Sequence, residues 1–238
     1  MAVDALFFGA HPDDVELTSA GLAARLATHG HAVGIVDLTR GEMASRGTVE
    51  ERVAEARSAG RVLGVAWREN LELPDTGLDR HSRSQLIEVV TLLRAQRPRL
   101  VVAPFADDAH PDHIEASHLV ARACYLSGLI RLEAPGERHR PARLLYALYR
   151  SAERPHLVVD VSDVWEKRMQ ALREHKTQLD PNAGVSTYLT RPGFLEEVEA
   201  RARVLGASIG ARYGEGYRTR TPFGVHDARL LMEGEGGW

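Results

Sequence analysis

Asp4-Ala5-Leu6-Phe7-Phe8-Gly9-Ala10-His11-Pro12-Asp13-Asp14 is the stretch on which the fold turns. Residues 3–9 form a short apolar run, and turn chemistry follows at once: glycine, proline, a histidine and two carboxylates. Such a run predicts a buried strand. Leu17, Leu22 and Leu26 then recur at helical spacing among small alanines, and Gly30 follows as a C-cap residue. Residues 15–29 therefore predict a helix. Residues 33–38, Val-Gly-Ile-Val-Asp-Leu, predict a second strand. Strands this continuously apolar, alternating with helices, belong to a parallel sheet covered on both faces.

The alternation continues. Residues 49–64 read as a charged amphipathic helix with Val53, Ala56, Val62 and Leu63 as its apolar positions. Residues 67–73 lead to a turn at Pro74-Asp75-Thr76-Gly77. A helix over 85–96 stops before Pro98, a third buried strand covers 100–104, and a helix covers 113–126. In the second half, 144–149 and 157–161 predict strands, 164–178 and 194–205 predict helices, and 180–193 predicts a loop. No repeat or linker divides the chain, so residues 1–238 read as one α/β domain with a mostly parallel sheet and helices on both faces.

At 238 residues the core is large enough to need neither disulfides nor a structural metal. Cys124 is the single cysteine, which excludes an internal disulfide and a Cys-rich zinc module and fits a reducing cytosol. The net charge is -3 with both signs spread along the chain, and no basic tract suits a phosphate backbone. No apolar run approaches the roughly 20 residues that span a bilayer. The expected protein is cytoplasmic, with no nucleic-acid or membrane partner. No Gly-x-Gly-x-x-Gly or Walker-type loop follows the first strand; carboxylates stand there instead and would repel phosphate. This argues against a non-catalytic nucleotide- or sugar-binding module.

His11 and Asp14 lie three residues apart with Pro12 between them, and His110-Pro111-Asp112-His113 repeats that offset after the third strand. Taken singly, the first is an acidic helix start and the second a pair of loop histidines. Together they supply neutral imidazoles and carboxylates, the ligand set of a hydrolytic zinc that keeps one position open for water. Asp13, adjacent in sequence, is a spare carboxylate for a general base. Ligands of open α/β sheets bind outside the carboxyl ends of the strands, where both clusters fall. The spacing leaves open which of His110 and His113 is the ligand.

These two motifs resemble the signatures of the LmbE-like (PIG-L) zinc-dependent N-deacetylases. The residues at 74–78, 101–128 and 213–217 resemble the subgroup that deacetylates N-acetylglucosaminyl-malate in bacillithiol biosynthesis. The resemblance implies a Rossmann-like deacetylase fold and zinc held by His11, Asp14 and His113, with iron(II) as the other metal such a site accepts. It implies Asp13 as general base, His110 as the group that stabilises the oxyanion or protonates the amine, Asp112 as the carboxylate steadying His110, and Arg52 as a substrate contact. It implies an amino-sugar substrate and a homo-oligomer, a hexamer among relatives. Mycothiol-type and chito-oligosaccharide conjugates are the alternative substrates. The residues alone place Arg52 in an exposed ion pair on a charged helix. Glu16 is expected at solvent or at the rim of the site. Tyr188 either closes over substrate or packs at the surface, and Glu215 and Tyr217 either line the cleft or tie down the tail. His29, His31, His81, His139, His156, His175 and His226 read as structural or solvated, and Cys124 as inert core.

Overall fold

The computed structural model describes residues 2–182, 184–222, 224, 227 and 229; His226 lies outside them. Strand β1 (Ala5–Gly9) is buried along its whole length. Its side chains alternate, sending Ala5 and Phe7 into one apolar cluster and Leu6 and Phe8 into another. It pairs in parallel with β2 (Val33–Thr39) on one side and β4 (Leu100–Pro104) on the other. Beyond β2 lies β3 (Trp67–Leu73), and beyond β4 lies β5 (Arg143–Ala147), both parallel. β7 (Gly214–Arg218) enters antiparallel between β5 and β6 (Leu157–Asp160). The resulting order is β3-β2-β1-β4-β5-β7-β6, so the direction of winding reverses between β1 and β4.

Helices cover both faces. α2 (Ala20–Thr28), α3 (Val49–Leu63), α6 (Trp165–Arg173) and α8 (Phe194–Ala207) bury their apolar sides in the cluster of Phe7. α4 (Arg83–Gln96) and α5 (Pro111–Leu126) bury theirs in the cluster of Leu6 and Phe8. α3 starts with a Thr48–Glu51 capping box and ends at Gly64 in the left-handed region, as its sequence requires. Cys124 is buried on α5, and burial pushes its thiol up to about 12, which makes it inert.

Four expectations change. Residues 67–73 form a strand; it sits at the sheet edge, where charged side chains are tolerated, so it lacks the apolar run that marks β1. The tail at 214–218 is also a strand, masked by its glycines. A Cβ on Gly214 would lie 2.6 Å from the Val158 side chain and 2.8 Å from the α8 backbone, so the bare backbone is what lets that helix pack close. The helix read over 15–29 divides into α1 (Asp14–Thr18) and α2 around Ser19. The Glu215 carboxylate of β7 accepts the N–H groups of Gly21 and Leu22 at 2.7 and 2.8 Å, capping α2 from across the chain. The helix read over 164–178 ends at Arg173, with a short turn α7 (Lys176–Leu179) after the break. Among the described residues no helix is long and apolar enough to cross a membrane.

A candidate metal and catalytic site at the sheet's switch point

β1 and β4 are neighbours, and their carboxyl ends deliver the two His-Pro-Asp clusters to one place. His11 leaves β1 just before α1, and His110 is the N-cap of α5, with Pro111 at its first position. The rings of His11 and His110 lie 4.7 Å apart, those of His110 and His113 4.8 Å, and those of His11 and His113 5.4 Å. Asp14 bridges the two clusters: Oδ1 lies 3.2 Å from His113 Nε2 and Oδ2 lies 3.5 Å from His11 Nδ1. Its Oδ2 also accepts the His11 N–H at 2.9 Å, so the turn itself fixes the carboxylate.

Two carboxylates that the sequence reading did not assign complete the ring. Asp108 Oδ2 lies 3.1 Å from His113 Nδ1, and its Oδ1 accepts the His110 N–H at 2.9 Å. Asp75 Oδ1 lies 3.3 Å from His11 Nε2. Asp108 stands two residues before His110, so its sequence position was a usable signal. Asp75 reaches His11 only because of the fold. Asp112 differs from expectation. Its carboxylate accepts the Thr76 N–H at 2.7 Å and lies 3.5 Å from His11 Nε2, while its backbone N–H donates to His110 Nδ1 at 3.2 Å. The helix cap, rather than the Asp112 carboxylate, orients the His110 ring.

Asp13 carries a backbone φ of 142°, a strained region for any residue with a Cβ and one that concentrates at functional sites. Burial raises its carboxyl above the ordinary range, with Arg52 offsetting and Asp14 adding to the rise. Arg52 is buried rather than solvent-paired. It donates to the Gly41 carbonyl at 2.8 Å and the Pro12 carbonyl at 3.1 Å, and lies 3.6 Å from Asp13 Oδ2. Gly41 (φ 67°) is essential to this arrangement, since a Cβ there would stand 1.8 Å from the guanidinium.

The electrostatics ask for a cation. Burial opposes charge on His11, but Asp112, Asp14 and Asp75 together push it up to about 12. Burial likewise opposes charge on His113, but Asp14 and Asp108 push it up to about 10. Burial pushes Asp14 up, yet His113 and His11 hold it well below the carboxylate range. His110 moves the other way, lowered by burial and by the charges of His11 and His113. Five carboxylates (Asp13, Asp14, Asp75, Asp108 and Asp112) thus crowd three imidazoles and one guanidinium. Ligand atoms of His11, His110 and His113 lie within 4.8 Å of one another, as do those of His11, Asp75 and Asp112. This donor set fits a divalent metal such as zinc or iron(II).

The cluster forms the floor of a cavity of about 490 Å³, a size suited to a small conjugate. Tyr149, Arg150 and Tyr188 line its upper wall. The Tyr149 hydroxyl is buried and has no hydrogen-bond partner among the described residues, which leaves a donor for substrate. Tyr188 is anchored through its hydroxyl, which donates to Glu197 and accepts from Arg191 and Arg201. A neighbouring cavity of about 360 Å³ shares Leu17 and Tyr149 with the site, but its charged groups are already paired, Arg168 with Glu215, Arg201 with Glu197 and Glu153 with Arg218. It offers no convergent chemistry.

Glu16 is fully buried, against expectation. It pairs with Arg68 at 2.6 Å and lies 3.4 Å from His175 Nε2, while Arg68 also pairs with Asp37 at 2.8 Å. Glu215 and Tyr217 tie the tail down, with the Tyr217 hydroxyl donating to Glu215 at 2.8 Å.

A strained acidic turn, a histidine-capped helix and a parallel sheet reversing between them define an amide-hydrolase site of the LmbE type. The sequence model described as PIG-L, GlcNAc-PI de-N-acetylase, matches residues 6–124, and the chain belongs to this deacetylase family. The diacetylchitobiose deacetylase of Thermococcus kodakarensis is 28% identical, covering 87% of this chain and 79% of its own. The 1D-myo-inositol 2-acetamido-2-deoxy-alpha-D-glucopyranoside deacetylase of Mycobacteroides abscessus is 30% identical over 71% of this chain and 79% of its own. A conserved protein of Thermus thermophilus shares the structure at a TM-score of 0.86 and 35% identity, covering 94% of this chain and 97% of its own.

Proposed function

We propose that this deacetylase removes the acetyl group from the amine of an N-acetylglucosamine conjugate with a divalent metal, zinc in the first instance, held by His11, Asp14 and His113. The observation that carries the reading is the carboxylate cage around paired imidazoles at the floor of a sugar-sized cavity. Bound by these residues, a divalent metal would supply Lewis acidity toward the amide carbonyl and the water. Asp13, with its carboxyl raised by burial, accepts the proton of that water. Arg52 holds Asp13 in its strained turn through the Pro12 carbonyl and the carboxylate itself. With Nδ1 accepting the Asp112 N–H, neutral His110 carries its proton on Nε2 and offers that N–H as a hydrogen-bond donor to the oxyanion, while Asp13 returns the proton taken from water to the departing amine. Tyr149 offers its hydroxyl to the developing oxyanion. Asp108 orients His113 and raises its basicity as a ligand.

For the conjugate, the named relatives support a chito-oligosaccharide or an inositol glycoside over the malate glycoside suggested by the subgroup motifs. The test is release of free amine from diacetylchitobiose and from the inositol and malate conjugates of N-acetylglucosamine, with and without chelator. Asp13→Asn is expected to lower kcat by about 10²–10⁴ while metal content is retained. Chelator-insensitive turnover, or a fully active Asp13→Asn variant, would refute the assignment.

A further inference from the structure

We propose that Arg150 is the receptor for a negatively charged group, a carboxylate or a phosphate, on the aglycone of the substrate. The proposal rests on the deacetylase reading above and departs from it on one point: among the conjugates weighed there it favours those whose aglycone carries a negative charge. Two arginines line the cavity, Arg52 and Arg150. Arg52 is spent on the Gly41 and Pro12 carbonyls and on Asp13. Arg150 is exposed, and its guanidinium carbon lies 3.9 Å from the centre of the Tyr188 ring. Among the described residues it has no carboxylate or carbonyl partner.

Stacking uses the face of a guanidinium and leaves its edge of N–H donors free, which is the geometry that takes a carboxylate or phosphate in two parallel hydrogen bonds. The platform beneath it is fixed. Arg191 and Arg201 donate to the Tyr188 hydroxyl at 3.1 Å each, and Phe194 meets the ring edge-on at 5.5 Å. Arg150 therefore gives up less side-chain freedom on binding than an unsupported surface arginine would. The rest of the cavity dictates the direction in which a charged substrate enters. Asp13, Asp14, Asp75 and Asp108 line it, and a carboxylate or phosphate pressed among them is repelled. An anionic conjugate settles with its amide inward and its charge outward on Arg150. A neutral aglycone leaves the stacked guanidinium with nothing to hold but water.

The experiment uses the metal-loaded full chain and three N-acetylglucosaminides: the malate conjugate, the inositol 1-phosphate conjugate and the neutral inositol conjugate. Wild type is expected to favour at least one anionic conjugate over the neutral one by about 10- to 100-fold in kcat/KM, the scale of a charge-assisted bidentate contact. Comparison of the two anionic conjugates shows whether carboxylate or phosphate is the better fit. Arg150→Gln should erase that preference through KM, with less than about a threefold fall on the neutral conjugate. Arg150→Lys should recover part of it, since a point charge lacks the planar fork. Added salt should shrink the wild-type preference. Wild-type preference for the neutral conjugate, or an Arg150→Gln loss equal on all three, overturns the role of Arg150 and leaves the deacetylase standing. No turnover of the three by protein of verified metal content that still deacetylates diacetylchitobiose overturns the role of Arg150 alone; no turnover of diacetylchitobiose either removes both.

Discussion

Metal binding at this site should expel two protons, and the count can be worked from the carboxylate cage. In the metal-free protein His11 is pushed up to about 12 and His113 up to about 10, both against the effect of burial. Both rings, set between Asp14, Asp75, Asp108 and Asp112, are therefore expected to be imidazoliums at pH 7.5. A metal accepts only the neutral imidazole, so each ligand histidine must lose its proton. Asp14, held well below the carboxylate range, is already ionised and contributes none. Two protons displaced make the apparent affinity rise about 100-fold per pH unit below about pH 10, hence about 1000-fold between pH 6.5 and 8.0. Titration with chelator-buffered zinc across that interval gives the slope. Calorimetry in buffers of different ionisation heat gives the proton count independently. A slope near zero, or fewer than one proton released, would show that the histidines are neutral in the metal-free protein and that the cage is not built to be filled by a cation.

Three further outcomes are expected. Asp108→Asn should weaken metal binding by about 10- to 100-fold, with activity restored by excess metal; unchanged affinity by chelator competition would remove Asp108 from the site. Glu16→Gln should destabilise the fold by about 3–5 kcal/mol, because it leaves His175 buried beside a neutral partner and Arg68 with Asp37 alone. Although burial pushes the Glu16 carboxyl up, Arg68 and His175 hold it down at about 2. Its contribution is thus complete above the ordinary glutamate range and is lost as pH falls toward 2, so thermal melts from pH 7 to pH 3 should show a shallower acid limb in the variant. Glu215→Ala should lower the urea midpoint by the equivalent of about 3–5 kcal/mol, since it uncaps α2 and strands Arg168; a midpoint within error of wild type would refute the cap.

The parts of the site legible in the sequence are those whose chemistry is local. His11 to Asp14 and His110 to His113 each occupy one turn after an apolar strand, so motif and secondary structure coincide. Their convergence follows from the reversal of winding between β1 and β4, which strand–helix alternation implies without fixing. Asp75 was hidden because it meets His11 through the turn after an edge strand whose polar sequence does not announce a strand at all. The exposed ion pair read for Arg52 and the solvent or rim position read for Glu16 fail for one reason: a charged side chain reads as solvated until its buried partners appear, and those partners, Gly41 with Pro12 and Arg68 with His175, come from other elements. The glycines of β7 conceal a strand because their value lies in letting α8 approach.

The cap that Glu215 places on α2 sets an order of events as well as a contact. The turn bearing Asp13 and Asp14 runs into helices whose leading amides wait for a residue almost two hundred positions downstream. On the ribosome, His11 and Asp14 emerge first, His113 about a hundred residues later, and that strand about a hundred residues later again. At roughly 5–20 residues per second, the interval between His113 and Glu215 is about 5–20 s. During it the turn that bears Asp13 and Asp14 leads into a helix α2 whose first amides are uncapped. A chain cut short before Glu215 would keep His11, Asp14 and His113 but lose the cap on α2, so the helix behind the acidic turn is secured only after β7 has been made.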